Sequence, residues 1–148
     1  MGTVNSLLVT LVISVAPLLG YLVSRFAKEE LAPGKKWFMR AKRILFVIIA
    51  GIFLFAHKWQ IWHMTLGLLV LFAYLAFASH REWWVVWGLL GVAYALTAQA
   101  PLAFLLGTGI FLYGLLAGAV LAGVKKIQGA IAAGAVFLGA AGILLYFL

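Results

Sequence analysis

An all-α membrane protein, a compact bundle of about six transmembrane helices, is the fold class that three features of this sequence predict. Charged residues make up only 9% of the 148 residues and hydrophobic ones 67%, for a mean hydropathy of +1.18. A water-facing domain carries roughly a quarter charged residues, so the solvent for most of these side chains is hydrocarbon. Second, the apolar runs approach the roughly 20 residues that a helix needs to cross a bilayer core. Third, seven of the eleven Lys and Arg residues gather in one stretch, RFAKEELAPGKKWFMRAKR at 25–43. Short basic loops stay on the cytoplasmic side during insertion, so this stretch sets the threading.

The first span is read at 4–24, ending at Arg25. Residues 1–6 carry no positive side chain ahead of that run, the wrong order for a cleavable signal. The second span is apolar only over 44–57. Pro33-Gly34 marks a turn, and a helix starting just after it, at 36–57, reaches spanning length. There Lys36, Arg40 and Arg43 recur at i, i+4 and i+7, with Trp37, Ala41 and Ile44 on an adjacent face. That pattern predicts a basic amphipathic segment lying in the headgroup layer after the first helix. Lys35, Lys36, Arg40, Lys42 and Arg43 are the expected contacts to an anionic inner leaflet, at about 1 kcal/mol per basic residue. The third span follows at 61–79, the fourth at 83–99, closed by Pro101, the fifth at 102–124 and the sixth at 127–148.

With the basic stretch inside, the loops holding Arg81 and Lys125-Lys126 are inside as well. These inner loops hold ten basic residues, and the outer ones hold only Lys58. The partition predicts six spans in a single domain over 1–148, placed in the cell membrane with both termini outside the cytoplasm. Tyr21, Trp37, Trp83 and Trp84 are expected as inner interfacial anchors, and Trp59, Trp62 and Tyr146 as outer ones. Gly114 and Gly118, with Gly134 and Gly139 in small-xxx-small pairs, are read as helix-packing positions. They predict a tight hairpin of the fifth and sixth spans, and a face that could dock a second copy or a partner membrane protein.

Chemistry is less legible. The net charge of +8 gathers beside the membrane, which suits anionic lipid rather than nucleic acid. Without Cys there are no disulfides or thiolate chemistry, and without Asp there is no aspartyl proteolysis; no metal or cofactor is expected. Ser6, Thr10, Ser14, Pro17 and Tyr21 share a sector of about 80° on the first span. They would line a solute pocket, or form a helix interface with hydroxyls bonded back to their own carbonyls; the interface is the favoured of the two. Trp87 and Tyr94 on the fourth span, with Tyr113 on the fifth, would stack on a solute or pack as core, and core is again favoured. His57 and His63 read as interfacial anchors. Glu29, Glu30, His80 and Glu82 are acid–base groups of the basic face, in no catalytic spacing. No charged residue is expected at mid-membrane depth, which argues against ion coupling through a buried carboxylate. The leading expectation is therefore non-enzymatic transport, channelling or binding of a small solute, with an assembly subunit and a lipid-headgroup enzyme behind it.

Overall fold

The computed structural model describes residues 3–56, 62, 66–69, 83–122 and 127–147, and within these the side chains of all but 3, 4, 28–33, 35, 83 and 84. The elements are α1 Thr3–Phe26, α2 Lys28–Ala56, α3 Trp83–Thr97, α4 Ala103–Ala122 and α5 Ile127–Phe147. No strand occurs among the described residues. Most of the third expected span, both histidines of the outer turn, His80, Glu82 and the Lys125-Lys126 junction lie outside them.

Among the described residues three helices, α1, α4 and α5, are long and apolar enough to cross a membrane. At 1.5 Å per residue the 20 residues of α4 give a rod of about 30 Å, close to a bilayer core. Leu8, Leu11, Val12, Phe104, Ile131 and Ile143 stand exposed on their outer faces. So much contiguous apolar surface is unlike a water-facing monomer and is compatible with an integral membrane protein. α3 is apolar but has only 15 residues, less than that thickness. It ends where expected, in a turn over 98–102 that contains Pro101.

The second helix departs from the sequence reading. It begins at Lys28, not after Pro33-Gly34, and runs unbroken to Ala56. Only Ala27 separates it from α1, its N–H donating to the Val23 carbonyl at 3.1 Å. Pro33 is the sixth residue of α2, past the first turn, and its missing N–H leaves the Glu29 carbonyl without its helical bond. Glu, Leu, Ala and Lys around it are strong helix formers. The stretch 25–43 is thus a helical corner, not a loop.

α1 is the helix that the others lean on. Its buried face is Ser6, Thr10, Ile13, Ala16, Pro17, Gly20, Tyr21 and Ser24, the polar stripe of the first span extended by small and apolar residues. Small residues bring the backbones together there. Gly118 lies directly on the Pro17 carbonyl, Gly20 on that of Leu115, and Gly134 on that of Ser14. The expected hairpin of the last two spans is not formed: α4 and α5 touch each other little, because both aim their glycines at α1 between them. Gly114 and Gly118 are thereby filled from within the chain, by Ala16, Pro17 and Tyr21, which leaves them no room for a partner helix. Gly139 differs, with nothing within 4 Å of where a Cβ would stand. α3 packs on α5 through Gly91, which faces the Phe137 carbonyl, and α2 packs on α4 where Ile49 meets Gly109.

Candidate functional site

The residues expected to line a solute pocket are buried in this packing. Thr10 is fully buried, and its hydroxyl donates to the Ser6 carbonyl of its own helix at 2.7 Å. Ser14 donates to the Leu11 carbonyl at 2.7 Å. Both spend on the backbone the donor that a pore would offer to a solute. Tyr21, 4% exposed, sits inside the bundle and is no headgroup anchor, whereas Trp37, Trp62 and Tyr146 are largely exposed. Trp59, Trp83 and Trp84 have no described side chain.

Trp87, Tyr94 and Tyr113 are brought together as the aromatic centre of the molecule. The Trp87 ring lies 5.6 Å from Tyr113 and 6.2 Å from Phe137, the latter edge to face. Tyr113 also meets Phe46 at 5.9 Å, and Tyr94 meets Phe137 at 6.3 Å. These are ordinary offset and edge-on separations. A nearby void bounded by Phe46, Phe53, Gly67 and Leu90 holds only about 20 Å³. It has space for one water but no polar partner to keep one there.

The basic residues of α2 divide by helical phase. Lys36, Arg40 and Arg43 are exposed on one face, and the Arg40 guanidinium lies 5.7 Å from the Trp37 ring centre. Lys35 has no described side chain. Lys42 falls on the opposite face with Phe38, Phe46 and Ile49, and its ammonium stands 6.0 Å from the Tyr113 ring centre. Tyr113 is near the middle of α4. A cation on a half-buried side chain therefore reaches toward mid-bundle depth, where none was expected. A cation over a tyrosine face returns about 0.5–2 kcal/mol, less than desolvating an ammonium costs. Lys42→Met, which keeps the length and drops the charge, should gain about 1 kcal/mol in denaturant titration. A loss of that size would mean the ammonium holds a counter-charge.

A larger cavity opens at the basic end of the bundle, in the corner where α1 turns into α2. It holds about 330 Å³ between Gly20, Val23, Ser24 and Ala27 of α1 and its turn, Phe38 of α2, and Leu115, Leu116 and Ala119 of α4. The walls are apolar apart from Ser24. That side chain is 6% exposed, and among the described residues its hydroxyl has no hydrogen-bond partner. Thr10, Ser14, Thr97 and Thr108 each donate to a carbonyl of the preceding turn; Ser24 does not. An unmade bond on a buried hydroxyl costs about 1–3 kcal/mol, so the group is suited to an incoming acceptor.

Sequence reasoning passed over Ser24, although the signal was present. Ser24 lies about five full turns after Ser6 and so continues the same stripe. Standing next to Arg25, it reads in the sequence as the end of the span. No family model matches this chain, and neither a curated protein nor a solved structure shows significant similarity to it.

Proposed function

We propose that the protein is a six-span integral membrane protein of the cell membrane, one domain with both termini outside, that binds a small solute without converting it. The ten-to-one partition of basic residues between alternate loops supports this threading, with the α1–α2 corner in the cytoplasm. Binding is favoured over passage because the centre is filled by Trp87, Tyr113 and Phe137, and because Thr10 and Ser14 have turned their hydroxyls to their own helix. The observation that carries the reading is the cavity at the corner. Its 330 Å³ falls in the usual range of roughly 300–1,000 Å³ for small-molecule sites, with one polar group in an apolar wall.

Ala119, 7% exposed in the cavity wall, provides the test. Phenylalanine there fills the space. In native mass spectra of the full chain extracted in mild detergent, the wild type should carry a small-molecule adduct that Ala119→Phe lacks. The same adduct on Ala119→Phe would sink the reading. Assembly with another membrane helix is the second reading, favoured by the open space at Gly139 and Gly142 on α5. The same spectra count subunits, and a monomer would dispose of it.

A further inference from the structure

We infer that the occupant of the α1–α2–α4 cavity is an anionic phospholipid, its acyl chain between Phe38, Leu116 and Ala119 and its headgroup against Ser24, Arg25 and Lys36. The inference rests on the cavity being the binding site proposed above, and it names the chemistry of the ligand.

Size argues against a packed helix. A helix about 10 Å across would fill 330 Å³ with less than one turn, so the cavity suits a flexible chain rather than a packed helix. One side is open, where Val23 is 64% exposed to the surroundings of the bundle, so a chain can enter laterally from lipid. The polar features all stand at one end. Ser24 offers from within the wall a hydroxyl that has no partner among the described residues. Arg25, exposed, follows it on the last turn of α1. Lys36, also exposed, lies on α2 just before Phe38. Lys42 stands one turn deeper on the Phe38 face. Over 25–36 the four cations Arg25, Lys28, Lys35 and Lys36 outnumber Glu29 and Glu30, so the corner carries a net charge of +2. A phosphodiester accepts hydrogen bonds from a hydroxyl, a guanidinium and an ammonium together, and charge-assisted bonds of that kind are the strong ones. A neutral solute would leave the two exposed cations unused, and a free anion would leave the apolar walls empty.

The experiment uses the full chain in phosphatidylcholine vesicles that contain a minor fraction of lipid photoreactive in its acyl chain, either phosphatidylglycerol or phosphatidylcholine. Cross-linked peptides are mapped by mass spectrometry. The expected result is labelling of 20–27 and 115–119, at least about tenfold stronger for phosphatidylglycerol than for phosphatidylcholine. Ala119→Phe should remove it. Arg25→Gln with Lys36→Gln, surface changes that leave the packing alone, should bring the two lipids toward parity while the labelled peptides stay the same. Equal labelling of these peptides by both lipids in the wild type would overturn the anionic assignment and leave the cavity a lipid site indifferent to the headgroup. Labelling spread along the outer faces and indifferent to Ala119→Phe would overturn the lipid site altogether. So would a cross-link at this corner to a second protein chain.

Discussion

Gly118→Ala should cost the bundle more than about 3 kcal/mol, although alanine is the better helix former. The intrinsic preference of alanine over glycine is worth about 1 kcal/mol to α4. Against that, the added Cβ falls on the carbonyl oxygen of Pro17 and within 2.8 Å of the Tyr21 nitrogen. Those are backbone atoms, with no rotamer to swing aside. Overpacking a core costs about 1–3 kcal/mol when side chains can shift, and more when a helix must move. The helix that would move is α1, which also carries α5 at Gly134. Gly139→Ala is the control: with nothing within 4 Å, it should be neutral or gain up to about 1 kcal/mol. Titration with a denaturing detergent, followed by circular dichroism and Trp fluorescence, reads both. Equal stability of the two variants would contradict the close α1–α4 crossing.

Trp87→Ala is the second large effect. Trp87 is 1% exposed, and its ring serves both Tyr113 and Phe137, tying α3 to α4 and α5 at once. Each aromatic pair contributes about 0.5–1.5 kcal/mol beyond the area it covers, and a vacated indole leaves a hole that the surrounding helices fill only partly. A loss of about 3 kcal/mol is expected, with Trp87→Phe costing less than half of that. In a membrane the lost contacts, not the transfer of apolar surface from water, make up the cost. A Trp87→Ala bundle as resistant to detergent as the wild type would mean that α3 is held by something other than this ring.

The long apolar helices were legible because nothing competes with them. The first, fifth and sixth spans were read within a few residues of α1, α4 and α5, since a run of about 20 apolar residues has one stable form in hydrocarbon. The start of α2 was missed for a local reason. Pro33-Gly34 is a strong turn signal in water, but the helix formers around it carry the chain through. Pairing was not legible at all: Gly114 and Gly118 announce a close crossing without saying whether the partner is α5, α1 or another molecule. Lys42 reads as one more basic surface residue, while its phase relative to Lys36 and Arg40 sets it on the Phe38 face. Ser24 was legible and overlooked.

The proposed six spans and the proposed inner-leaflet cavity both require the basic corner between α1 and α2 to face the cytoplasm. The chain has no cysteine, so single cysteines can be placed at the exposed positions Asn5, Lys36 and Tyr146 without removing any. A membrane-impermeant maleimide applied to intact cells should label Asn5→Cys and Tyr146→Cys, and Lys36→Cys only after permeabilisation. Labelling of Lys36→Cys on intact cells, or of only one of the two terminal positions, would contradict this threading.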